Sequence, residues 1–258
     1  MPDLLIFAAM AFRNIRSPRY IYISIKFFFN IQKLQVKLMG RLLNIISKLH
    51  KKTKRDYIGR MNDDKVKCMK IARRYGRDFW DGERRYGYGG YKYDGRWAAV
   101  AKSLAVLYNL PGDAKILDVG CGKGFLLYEF KKILPASTVI GFDISEYATE
   151  NAITEIKKNV FVQGAQSPFP FKDDEFDLVV SITTLHNLKI YDFKSAINEV
   201  ERVGKNKYVV VEGYRNEDEL FNLECWALTG QAFFSKEEWV WLFNHFGYTG
   251  DYEFIYFE

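Results

Sequence analysis

Cysteine, acidic charge at the amino end and long apolar runs are all scarce in this chain, and each shortage narrows what it does. The three cysteines, Cys68, Cys121 and Cys225, form no C-x-x-C pair and no even-numbered set. That excludes a disulfide scaffold, a zinc ribbon and a three-cysteine iron–sulfur cradle, leaves no metal site to expect, and fits a reducing compartment. The apolar stretch at residues 4–12 stops at Arg13, well short of the ~18–20 residues that span a bilayer, and it lacks the basic flank of a secretory signal. Neither G-x-G-x-x-G nor G-x-x-x-x-G-K-[ST] occurs, which counts against a dinucleotide turn and a nucleoside-triphosphate loop.

The charge is unevenly spread. Residues 1–60 carry 13 Lys/Arg against only Asp3 and Asp56, a balance of +11; the remaining 25 Lys/Arg and 30 Asp/Glu give −5. An acidic body argues against a dedicated nucleic-acid surface, since phosphate binding rests on clustered Lys/Arg. Within the basic leader, Phe27, Ile31, Leu34, Leu38, Leu42, Ile45 and Leu49 recur at three- and four-residue steps with lysines and arginines between them. That is an amphipathic basic helix over residues 25–49. Three readings of it stand open: peripheral contact with an anionic membrane, packing on the body or on another subunit, and a dispensable leader. The expected location is cytoplasmic, or membrane-peripheral if the first reading holds.

The 258 residues and 48% hydrophobic content allow one large α/β domain with an appendage. Strands are expected at Lys115–Val119, Thr138–Phe142, Val160–Gln163, Phe176–Ile182, Lys207–Glu212 and Tyr252–Phe257. A helix precedes them at Trp97–Tyr108, and helices fall between them at Phe125–Ile133, Ser145–Lys158, Tyr191–Val203 and Ser235–Phe246, the last opened by a capping box of Ser235 and Glu238 and ended at Gly247. Apolar strands alternating with helices predict a Rossmann-like, doubly wound, mostly parallel sheet with helices on both faces, preceded by a helical basic leader. The division expected is a leader at 1–60, a helical and Tyr/Gly-rich cap segment at 61–110, and a ligand-binding domain at 111–258.

The sharpest local signal is Asp118-Val-Gly120-Cys121-Gly122-Lys-Gly124, between the first strand and its helix. Glycines there let the backbone turn tightly and approach a ligand, and the helix start offers free N–H groups. Asp143, followed by Ile144, ends the second strand 25 residues beyond Asp118. A carboxylate in that position accepts both hydroxyls of a ribose lying across the sheet.

With these residues in place, residues 115–188 and 233–250 resemble the class I S-adenosylmethionine-dependent methyltransferases, especially their type 11 small-molecule subgroup. The resemblance implies S-adenosyl-L-methionine as methyl donor. Gly120 and Gly122 would pass close to its methionine part, Asp118 would lie near its ammonium, and Asp143 would hold its ribose. Cys121 and Gly124 share that turn, Cys121 as a small filler. The stretch from Gly164 to Asp177 matches the surroundings of the adenine. Here the subgroup carries Asp or Asn after the glycine, and this chain has Ala165, so the adenine contact falls to Gln166, Gln163 or the backbone. A second departure is the single strand after the last helix; part of residues 225–234 is expected to supply a further one.

Methyl transfer from a sulfonium needs positioning and exclusion of water, with a base only where the acceptor loses a proton. His186, just beyond strand four, is either that base or a hydrogen-bonded structural histidine. Glu212 closes strand five on the same rim, with Tyr214 and Arg215 after it. Residues 86–95 hold four tyrosines and four glycines, which makes a loop. It is read as a lid over the donor or an aromatic plug, with Arg96 positioned to bind the methionine carboxylate. The Pro-Cys pair of cytosine-C5 methylation and the Asn-Pro-Pro-Tyr of amino-nitrogen methylation are absent. The expected reaction is methylation of an oxygen or nitrogen of a small metabolite, for instance a sugar or surface-polysaccharide precursor. A membrane-associated methyltransferase of a lipid or quinone, and a catalytically silent donor-binding partner subunit, are the rival readings.

Overall fold

The computed structural model describes residues 40–51 and 53–258. Six strands, β1 (Lys115–Val119), β2 (Thr138–Asp143), β3 (Val160–Val162), β4 (Phe176–Ile182), β5 (Gly204–Glu212) and β6 (Asp251–Ile255), form one sheet in the order β3-β2-β1-β4-β5-β6. Every neighbouring pair is parallel. The fold is thus the expected Rossmann-like α/β sheet, wholly rather than mostly parallel.

Around the sheet lie α1 (Ser47–His50), α2 (Tyr57–Asn62), α3 (Lys65–Ala72), α4 (Arg77–Trp80), α5 (Ala98–Leu107), α6 (Phe125–Ile133), α7 (Glu146–Glu150), α8 (Ile190–Val203), α9 (Glu217–Trp226) and α10 (Lys236–His245). The period-2 pattern of the strands divides the core in two. Leu117, Val119, Val179, Val209 and Val211 face α8 and α10, where Phe193 and Trp239 are fully buried. Ile116, Leu178, Val180, Tyr208 and Val210 face α5, α6 and α9, against Leu104, Phe130 and Leu223. Burial on both faces is why these strands read as continuous apolar runs, each large side chain contributing about 1.5–3 kcal/mol. Ser235 and Glu238 make the expected capping box on α10, and Gly247 closes it with a positive φ of 74°.

Three expectations change. The helix expected over 145–158 is broken: α7 ends at Glu150, Ile153 is extended and donates its N–H to the Lys123 carbonyl, and a 3₁₀ turn (Thr154–Asn159) follows. No strand forms in residues 225–234. That segment leaves α9 as irregular chain, and the Gln231 and Ala232 N–H groups bond the His186 carbonyl instead of a sheet edge.

The third change concerns the leader. One of two compact units spans residues 39–258 and contains residues 40–60. Residues 40–46 are not helical; Leu43 donates to the Tyr252 carbonyl and Tyr252 to that of Arg41, covering the outer edge of β6. An exposed strand edge invites pairing with other chains, and this segment occupies it. Two acids of β6 fix it there. Asp251 accepts from the Arg41 backbone N–H (2.6 Å), its guanidinium (2.7 Å) and Tyr108 (2.9 Å). Buried Glu253 accepts from the Ile45 N–H (2.6 Å), from the Ser47 N–H and hydroxyl (2.7 Å each) and from Tyr208 (2.5 Å). These backbone demands, together with burial of Ile46, override the helical period of the sequence. The rest of the basic amphipathic stretch, residues 25–39, lies outside the described residues. Among the described residues no helix is long and apolar enough to cross a membrane.

Candidate functional site

The chain leaves β1, turns through the glycines and returns on α6 to β2, while β4 lies on the other side of β1. Winding changes direction between β1 and β4, and a crevice opens there at the carboxyl ends of the strands. Gly120, Gly122 and Gly124 all have positive φ, at 82°, 53° and 73°. At Gly120 a Cβ would also collide with the Thr184 side chain, so only glycine lets β1 and the β4 turn approach. The Gly120 and Cys121 N–H groups bond the Phe142 carbonyl (2.8 and 3.0 Å) and lock the turn to the end of β2.

Asp143 closes β2 beneath this turn. Its Oδ2 accepts the Gly122 N–H (2.9 Å) and its Oδ1 the Ser145 N–H (2.8 Å). Burial pushes its carboxyl up, and those N–H groups oppose the shift. Asp118, 4% exposed, is pushed up to about 8 by burial and by the neighbouring charge of Asp143.

A cavity of about 260 Å³ opens at this point. Gly120, Asp143 and Ile144 form one wall; Gln163, Ala165 and Gln166 follow β3; Thr183, Thr184 and Asn187 follow β4. Tyr75, Trp80 and Tyr88 cover it. The cover is anchored. Trp80 Nε1 donates to Ser145 Oγ (2.8 Å) and its ring stacks on Tyr88 at 5.2 Å between centroids. Lys123, from inside the glycine turn, is buried and donates to both Asp81 oxygens (2.8 and 2.7 Å) and to the Tyr91 carbonyl (2.9 Å). Its ammonium ties turn to cover and is not free for a phosphate.

A second cavity of about 430 Å³ shares Phe79, Tyr88, Ile182 and Thr183 with the first. Glu212 stands on its wall. Behind Glu212 lies His186, 3% exposed and lining neither cavity. Its Nδ1 accepts the Glu212 backbone N–H at 3.3 Å, which leaves Nε2 as the N–H directed at Glu212 Oε2, also 3.3 Å. Burial lowers its pKa, with Glu212 pulling the other way. Thr183, where the cavities meet, holds a φ of 55°, unusual for a β-branched residue.

Of the residues singled out from sequence, the structure brings Gly120, Asp143, Ile144, Ala165 and Gln166 together around the first cavity. Asp118, Cys121, Gly122, Gly124 and Gly164 are not among the residues that line it. Arg96 lines the second cavity, where it pairs with Asp94 at 2.5 Å. Glu212 and His186 are in contact, with the histidine buried behind the carboxylate. Tyr75, Trp80, Thr183 and Asn187 had no signal of their own in the sequence; Tyr88 belongs to the Tyr/Gly-rich loop.

Comparison with known proteins adds to this geometry. A family model described as a methyltransferase domain matches residues 111–247. The chain is 30% identical over 120 residues to the mitochondrial arginine-hydroxylase NDUFAF5 of Rattus norvegicus, a match covering 46% of this chain and 34% of that protein. It is 33% identical over 113 residues to an uncharacterized methyltransferase of Synechocystis, covering 43% and 52%. Over 114 residues it is 30% identical to a demethylmenaquinone methyltransferase of Roseiflexus, covering 43% and 46%. The chain spans about a third to a half of the length of these relatives.

Proposed function

Because the chain belongs to the methyltransferase domain family, we propose that it binds S-adenosylmethionine in the first cavity and methylates an oxygen or nitrogen of a small metabolite in the second. The observation that carries this reading is Asp143 at the end of β2, on the wall of a covered crevice at the switch point. Its oxygens accept the Gly122 and Ser145 N–H groups, with the Ile144 N–H beside them, and four lone-pair sites leave room for the two ribose hydroxyls. Gln163 and Gln166 flank Ala165 and carry the polar atoms an adenine edge requires. Asp118 is buried and does not line the cavity, so it would act on the donor's ammonium by charge across the wall, the positive charge favouring the ionised carboxylate.

The donor supplies a methyl group on a sulfonium, and that carbon is taken by an acceptor lone pair as the carbon–sulfur bond breaks. The protein's part is alignment and exclusion of water by the Trp80–Tyr88 cover. Glu212, on the acceptor side, takes the proton that the acceptor atom loses. His186 holds Glu212 in position through both ring nitrogens, in place of the base role expected for it. An accessible carboxylate on an open second cavity favours catalysis over a silent donor-binding subunit. The likeness to a demethylmenaquinone methyltransferase favours, as a second reading, a quinone acceptor.

Calorimetry with S-adenosylhomocysteine tests the donor assignment. Asp143→Ala should weaken binding by about 1–3 kcal/mol, the cost of losing charge-assisted hydrogen bonds, in a protein that remains folded. Unaltered affinity would refute the ribose role.

A further inference from the structure

The second cavity has a charge pattern that methyl transfer alone does not require. Arg55, Arg60, Arg84 and Arg96 line it, against Glu212 as the one acid among the described residues of its wall. Arg96 is paired with Asp94, but among the described residues the other three have no carboxylate within 4.0 Å; the arginine ion pairs there involve Arg41, Arg85, Arg96, Arg202 and Arg215. Three guanidiniums nevertheless converge on one indole. Arg60, Arg84 and Arg55 lie 4.4, 5.0 and 5.5 Å from the Trp226 ring centroid.

Backbone carbonyls hold them there. Arg60 donates to the carbonyls of Arg84 (2.7 Å) and Arg85 (3.0 Å), Arg55 to that of Thr53 (2.9 Å), and Arg84 to that of Gly87. Carbonyls fix a guanidinium in place without neutralising it. Burial and the like charge of Arg84 bring Arg60 down to about 10, and burial also lowers Arg55. Three guanidiniums held by carbonyls on one cavity wall call for an oxyanion, and the rings of Trp226, Phe79 and Tyr88 call for a flat apolar body beside it.

We propose that the methyl acceptor is an organic anion, a small ring compound whose carboxylate or phosphate group is gripped by Arg55, Arg60 and Arg84 while its ring lies against Trp226. Its accepting atom then reaches Thr183 and Glu212, where the two cavities meet. This names the substrate class for the methyl-transfer reading and rests on that reading.

The test is calorimetric titration of the full chain at low salt, with and without S-adenosylhomocysteine, using benzoate, phenyl phosphate and uncharged benzyl alcohol as probes. At least one of the two anions should bind about tenfold or more tightly than benzyl alcohol, and whichever binds better identifies carboxylate or phosphate as the group recognised. Arg60→Gln and Arg84→Gln should each weaken that anion about tenfold while leaving the affinity for S-adenosylhomocysteine unchanged, which also reports that the variants are folded. Salt gives a reading that needs no variant: wild-type affinity for the anion should fall severalfold as ionic strength rises. Anions that bind no better than benzyl alcohol, or an affinity indifferent to salt, would overturn the proposal. Failure of S-adenosylhomocysteine to bind would instead overturn the methyl-transfer reading, and the titrations without it would still decide the anion site.

Discussion

Donor affinity should depend on pH through Asp118. In the free protein its carboxyl is pushed up to about 8, so at neutral pH it is mostly protonated. A bound ammonium favours the charged carboxylate and expels that proton. Below the free pKa, each unit of acidity therefore weakens binding about tenfold, so affinity for S-adenosylhomocysteine should rise about tenfold between pH 6 and pH 7. At pH 7 about one proton should leave per ligand bound, measurable by calorimetry in two buffers of different ionisation enthalpy. Asp118→Asn should abolish both the slope and the release. The same shift has a second sign to check. The folded pKa lies above the unfolded one, so the group's contribution to stability is greatest below about pH 4 and is lost as pH rises toward 8. Ligand stabilisation should thus be largest where the free protein is weakest. A wild-type affinity that is flat from pH 6 to 7, or a proton release that persists in Asp118→Asn, would show that this carboxyl does not act on the donor's ammonium.

Three further outcomes are expected. Glu212→Gln should lower turnover by about a hundredfold or more, whereas His186→Gln should lower turnover less; steady-state kinetics of both variants check this. Thr183→Gly should raise resistance to urea by about 1 kcal/mol, because glycine adopts the positive φ without strain, and should lower turnover because the wall between the cavities is lost. A chain beginning at residue 48 should be less stable than one beginning at residue 40 by about 3–5 kcal/mol, from losing the buried Ile46 side chain and leaving Glu253 short of donors; equal urea midpoints would show that residues 40–47 are not part of the core.

What the linear sequence determined was whatever depends on neighbours a few residues apart. β1 and β4 are legible because they are apolar runs buried on both faces, α10 because its cap is complete within four residues, and the glycine turn because positive φ selects glycine locally. Asp143 could be placed at a strand end from its distance to that turn. Tertiary structure alone decided the rest. The period of residues 40–46 reads as a helix, yet Asp251 and Glu253, more than 200 positions later, draw that segment along β6. His186 and Glu212 both belong to strand ends, and only their packing shows that the histidine is buried behind the carboxylate with both nitrogens engaged. The arginines around Trp226 are scattered over positions 55, 60 and 84, in stretches where basic residues are common. They acquire a shared role only when backbone carbonyls hold all three against one ring, and no local pattern encodes a contact set by chain folding.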